Sequence, residues 1–145
     1  EKSNFEVPLN RVDRCQTCHS AIAKAGFDDL PNPMKSHPHP EMMHAHPAET
    51  FACTPCHEGQ GPAVNSPEQA HGEVRFWEHR LLRGEMVEAN CIKCHPDSHQ
   101  LAHGEKIGRG QILFEELGCH GCHLTEGYEE IPKVGPSLKN IGAKV

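Results

Sequence analysis

Apolar residues fall into a helical rhythm most clearly between Glu105 and Leu117, where Leu113, Phe114 and Leu117 form a stripe, Gly110 lies on the same side and Gly118 can terminate the helix. A shorter helix is predicted after Asp13, a plausible N-cap; it would carry Cys15, Cys18, His19 and Ile22 on one face and end at Gly26. His79 to Ala89 reads as another short helix, weakened by Gly84. Elsewhere the rhythm lapses. PNPMKSHPHPEMMHAHP, residues 31–47, is too rich in proline for a regular helix and is predicted to run extended. EGQGPAVNSPEQAHG, residues 58–72, is a second loop. The expected fold class is therefore mainly irregular coil with short α-helices and little or no β-sheet.

Such a chain is short of core material. Only 36% of its 145 residues are hydrophobic and 5% aromatic, with a mean hydropathy of −0.62, which is thin for a polypeptide that must bury its own interior.

The cysteines suggest what fills the gap. All eight fall in four C-x-x-C-H units: CQTCH (Cys15, Cys18, His19), CTPCH (Cys53, Cys56, His57), CIKCH (Cys91, Cys94, His95) and CHGCH (Cys119, Cys122, His123). This is the attachment pattern of haem c, in which two thiols bond the porphyrin vinyl groups and the histidine becomes an axial iron ligand. On a helical turn, positions i, i+3 and i+4 share a face, so both sulfurs and the imidazole can meet one macrocycle. Zinc knuckles, structural disulfides and redox dithiols also use paired cysteines. However, consecutive pairs here are 34, 34 and 24 residues apart, too far for the usual zinc spacing, and none of these alternatives requires a histidine after every pair. Four haems packed inside the coil would supply the missing apolar interior, and the chain without them should fold poorly. The first three motifs begin at 15, 53 and 91, a constant step, but the segments between them barely align.

Nine further histidines remain: His37, His39, His44, His46, His71, His79, His99, His103 and His120. For any one of them the plain reading is a solvent-exposed side chain. A low-spin electron carrier nevertheless needs a sixth ligand on each iron, whereas a catalytic haem leaves that position open. His37 and His46 precede prolines that stiffen the backbone, and His71 precedes Gly72, which permits close approach; these three are the candidate distal ligands. The expected pairing puts His46 on haem 1, His71 on haem 2 and His37 on haem 3. His39 and His44 are the substitutes. His99 and His103 share a helical face and are read as flanking haem 3 or facing water, and His120 sits in its own attachment loop. Methionines in PNPMKS and PEMMHA read as core filling rather than as thioether ligands.

The chain as a whole resembles a multihaem c-type cytochrome. GRGQILFEELGCHGCH and the later VGPSL are similar to the start of a class I cytochrome c, and RVDRCQTCHSAI, HPAETFACTPCHEGQGPA, EQAHGEVRFWEHRLL and EANCIKCH resemble the three-haem part of exported cytochromes that accompany membrane respiratory complexes. The resemblance implies a three-haem module over 1–103 and a class I-like haem segment over 104–145. It implies that His37, His46 and His71 are distal ligands and that Pro136 shapes the pocket around His123. It also implies haem attachment outside the cytoplasm, at the periplasmic face of a membrane or beyond the cell. A class I cytochrome c continues past its G-P-x-L motif to a methionine ligand and a helix that packs on the glycine and phenylalanine of the first. The sequence ends at Val145 with neither, so the expectation is a piece of a longer protein; the alternatives are that His99 or His103 takes over, or that the site is open. An upstream membrane anchor is compatible with the opening EKSNFEVPLN.

The function expected is electron transfer by a tetrahaem cytochrome, not enzyme catalysis, between redox protein partners that include a membrane respiratory complex. The net charge of −6, made more negative by haem propionates, argues against nucleic acid. Two alternatives stand beside this reading: a multihaem oxidoreductase with one open iron, or a subunit of an extracellular cytochrome filament. Against the enzyme, Tyr128 is the only tyrosine and no Arg/His/Tyr constellation accompanies a motif.

Overall fold

The structure is a computed structural model that describes residues 5–7, 11–125, 127–130 and 133–138. It is mostly coil with short helices and almost no strand. The chain packs as two compact units, Glu1–Arg83 and Gly84–Val145. Position 103, the boundary read from the sequence, lies inside the second unit, where the third and fourth motifs are found together. Among the described residues, no helix is long and apolar enough to cross a membrane.

The first unit opens with an antiparallel hairpin of β1 (Phe5–Val7) and β2 (Arg11–Asp13), with Phe5 opposite Asp13 and Val7 opposite Arg11. Asp13 thus ends a strand rather than capping an α-helix. It still behaves as a cap, accepting a hydrogen bond from the Cys15 amide at 3.1 Å, but the chain beyond it makes one 3₁₀ turn, Cys15–Thr17, and then irregular turns. The proline-rich run is not wholly extended either. Helix α1 (Pro40–Ala45) forms inside it because Pro40 stands at the helix start, where its missing N–H costs nothing and its fixed φ suits a helix, and the next proline is Pro47. Three four-residue helices come next: α2 (Ala48–Phe51), α3 (Thr54–His57) and α4 (Pro67–Ala70). The Ser66 hydroxyl caps α4 by accepting from the Gln69 amide at 3.2 Å.

The second unit contains a 3₁₀ segment, Gly84–Lys93, then α5 (Glu105–Glu116) and α6 (Cys119–Cys122). The short helix expected over 79–89 is replaced by irregular chain as far as Arg83 and by 3₁₀ turns beyond it. Helix α5 matches the sequence pattern. Its first turn lacks a side-chain cap of its own, and Glu88 supplies one from the 3₁₀ segment: its carboxylate accepts from the Lys106 and Ile107 amides at 2.8 and 3.2 Å. Gly118, at φ +67°, ends the helix in the left-handed conformation that glycine adopts without strain.

The apolar interior is as thin as the composition implies. Among the described residues, the buried apolar ones are Ala21 and Ala48, while Phe76, Leu117 and Val134 stand largely in solvent.

Candidate functional site

All four C-x-x-C-H units fold alike. In each, the histidine amide donates back to the carbonyl of the first cysteine, at 2.9 Å for His19, His57 and His95 and 3.1 Å for His123. One helical turn therefore brings both sulfurs and the imidazole to the same side. The eight cysteines are free thiols, each half-buried or exposed.

The first two motifs meet at a buried carboxylate. Asp13 is 4% exposed; besides the Cys15 amide, it accepts from the amides of Cys53 at 3.0 Å and Thr54 at 2.9 Å. Burial alone would raise its pKa, but these bonds and one from the Cys15 thiol outweigh burial and hold it below the ordinary carboxylate range. The Cys15 thiol is pushed far up by its hydrogen bond with Cys53, by burial and by Asp13. One ligand atom from each of Asp13, Cys15 and Cys53 lies within 4.8 Å of the others. Gly61 makes this junction possible: a Cβ there would stand 2.7 Å from the Val12 carbonyl oxygen and 3.0 Å from Thr54 Cγ2, while its own carbonyl accepts from the Arg14 amide at 2.9 Å.

The non-motif histidines occupy defined places. The rings of His71 and His19 have centroids 6.4 Å apart, with planes at 43°; those of His37 and His57 are 6.1 Å apart, with planes at 73°. Two imidazole nitrogens on opposite sides of one metal, each at about 2 Å with its ring centroid about 1.1 Å further out, would put the centroids about 6.2 Å apart. Both pairs have that spacing. Each joins a motif histidine to a histidine from elsewhere in the chain, and the pairing differs from the order expected: His71 faces the first motif and His37 the second. His46, expected at the first motif, lies with its ring against Phe51 at 5.1 Å. Sequence order could not show this because long-range backbone bonds set it.

One of those bonds runs from the His37 amide to the Ile22 carbonyl at 2.9 Å, drawing the proline-rich loop over the first motif's turn. Residues 79–82 form a strap that fixes two more histidines: Leu81 N–H donates to the His71 carbonyl and Leu82 N–H to the His57 carbonyl, both at 2.8 Å, and Gly59 N–H donates to the His79 carbonyl at 2.9 Å. Gly72, at φ +73°, is needed here because a Cβ would reach within 2.7 Å of the Trp77 ring and 3.0 Å of the His79 carbonyl oxygen. Its close approach is thus to the chain's own strap.

Electrostatics favour neutral imidazoles. Burial, and then the His71 ring, hold His19 below its usual pKa; burial, and then the His37 ring, do the same for His57; burial lowers His37 against an opposing bond to the His39 backbone. The His39 backbone meets His37 Nδ1 through both its carbonyl, at 3.0 Å, and its amide, at 3.1 Å, so the ring is anchored through that nitrogen. His123 is set the same way: Nδ1 donates to the Pro136 carbonyl at 2.9 Å, and Gly135 packs so closely that a Cβ would stand 2.9 Å from that nitrogen. Pro136 therefore does adjoin His123.

His99 is engaged at both ring nitrogens, with Asp97 at 2.8 Å and Glu115 at 3.1 Å, and Tyr128 donates to the other oxygen of Glu115. It has no lone pair to offer a metal in this arrangement. His120 stacks on Tyr128 at 5.2 Å and lies 6.2 Å from Phe114. Hydrogen bonds donated to Asp97 and Glu115 raise the His99 pKa, while the bond from Tyr128 and that from His99 lower the pKa of Glu115 despite its partial desolvation. Stability gained through His99 is therefore complete below its ordinary 6.5 and is lost as pH rises through the higher folded value; that gained through Glu115 is present above its ordinary 4.5 and is lost as pH falls through the lower folded value. The second unit should resist urea best between those limits. In His99→Gln, the alkaline decline should flatten, as read by urea midpoints across pH.

No family model, curated protein or solved structure matches the chain.

Proposed function

We propose that the protein is a tetrahaem c-type electron carrier, with haem bound at Cys15/Cys18/His19, Cys53/Cys56/His57, Cys91/Cys94/His95 and Cys119/Cys122/His123, and with His71 and His37 as the sixth ligands of haems 1 and 2. The observation that carries this reading is the pair of imidazole couples at 6.4 and 6.1 Å, each with one partner in an attachment motif. Held by these histidines, a haem would supply one-electron chemistry. The chain's own part is to hold the ligands. The strap at 79–82 fixes His57 and His71, the His39 backbone and the Pro136 carbonyl orient His37 and His123, and burial favours neutral rings. The near absence of buried apolar side chains among the described residues also suits a chain built around large apolar groups.

On this reading the protein works on the outer side of a cytoplasmic membrane, periplasmic or exposed to the exterior, passing electrons between protein partners of a respiratory chain. Its test is stoichiometric. Pyridine haemochrome assay and intact mass should give four covalent haems per chain, and Cys91→Ala/Cys94→Ala should give three. Isolation of a zinc protein without thioether-linked haem would reject the proposal. High-spin iron at the first or second motif would favour the open-site oxidoreductase.

A further inference from the structure

Asp13 has a place that haem attachment alone does not require. Asp13 is 4% exposed, and its carboxylate binds the start of two attachment loops whose first cysteines, Cys15 and Cys53, lie far apart in sequence and have their sulfurs within 4.8 Å in space. Three backbone N–H groups converge on it, and Gly61 has no side chain to push them apart. A carboxylate saturated in this way is an anion stabilised by donors rather than an empty ligand set for a cation.

Building on the tetrahaem reading, we propose that Asp13 is the potential-setting residue of haems 1 and 2: one buried negative charge, shared by both attachment loops, makes these two the lowest-potential pair in the protein. Reducing an iron adds one electron and takes up no proton there, so a fixed anion nearby opposes the step. A site shielded from water screens that charge weakly. Because both loops hold the same carboxylate, the effect falls on both irons together. Haems 3 and 4 are attached outside the Asp13 hydrogen-bond network.

The test is a spectroelectrochemical titration of the holoprotein, with the haems assigned by NMR. In the wild type, haems 1 and 2 should be the last two reduced as the potential is lowered. In Asp13→Asn, both should move to higher potential while haems 3 and 4 stay in place, and Asp13→Glu, which keeps the charge, should leave the order unchanged. The proposal is overturned if haem 1 or haem 2 of the wild type is reduced before haem 3 or haem 4. A shift in neither haem or in all four equally overturns it too, as does an equal rise in Asp13→Glu or a zinc ion found at Asp13 in the purified protein. If Asp13→Asn fails to retain four haems, the wild-type order decides. A haem count below four in the wild type would instead reject the tetrahaem reading itself.

Discussion

If the proposed haems are bound, His71→Ala should convert the iron at the first motif from low to high spin, and His37→Ala should do the same at the second, so each variant loses one low-spin haem. The reason is positional: each imidazole stands across from a motif histidine at the spacing of a doubly ligated metal. The ring planes distinguish the two sites. Those of His37 and His57 are closer to perpendicular, at 73°, than those of His19 and His71, at 43°. Perpendicular imidazoles leave two iron d orbitals nearly equal in energy, which gives a more anisotropic low-temperature EPR signal. His37→Ala should therefore remove the more anisotropic of the two signals and His71→Ala the more rhombic one. His99→Ala should change neither, since both nitrogens of His99 are already bound to carboxylates. Loss of the anisotropic signal in His71→Ala instead would contradict the ring-plane angles of the two couples.

How far the sequence could lead depends on the range of the forces involved. The turns of the four C-x-x-C-H units were legible because their geometry is local, each closed by a bond between residues four apart, and α5 was legible because its stripe is periodic. Proline content misled over 31–47, since a proline at the first helical position favours a helix instead of preventing one, as at Pro40. His37 and His71 stood out in the sequence as residues to watch, yet their partners did not. What brings them beside His57 and His19 is the Ile22 carbonyl and the strap at Leu81 and Leu82, none of which carries a sequence signal of ligation. Asp13 shows the same limit. It reads as a cap for the nearby Cys15, and it is one, but its bonds to Cys53 and Thr54 reach about forty residues along the chain. A lone acidic residue before a C-x-x-C-H turn gives no hint of that second partner.

The strongest contrast within one element is expected between two glycines of α5. The sequence singled out Gly110 for its place beside Phe114, but a Cβ at Gly110 would meet nothing within 4 Å, whereas one at Gly108 would stand 2.5 Å from the Ser98 carbonyl oxygen. Gly108 is where the helix closes over the segment just after the third C-x-x-C-H unit. Ser98 is fully buried there, and its amide and hydroxyl donate to the Gln111 carboxamide oxygen at 2.9 and 2.6 Å. Gln111 Nε2 in turn donates to the Pro96 carbonyl at 3.3 Å, next to His95. Gly108→Ala must push two backbones apart and break that set, and it should cost about 2–3 kcal/mol. Gly110→Ala removes a flexible residue from a helix interior without a clash and should stabilise by up to about 1 kcal/mol. Urea unfolding of the two holoproteins, monitored by circular dichroism, should move the midpoint in opposite directions. Because Gln111 ties the chain after His95 to the helix that leads into Cys119, Gly108→Ala should also, if the proposed haems are bound, broaden the signals of haems 3 and 4 while leaving those of haems 1 and 2 sharp. Equal destabilisation by both substitutions would mean that Gly110 also meets a partner and that the packing drawn for α5 is wrong.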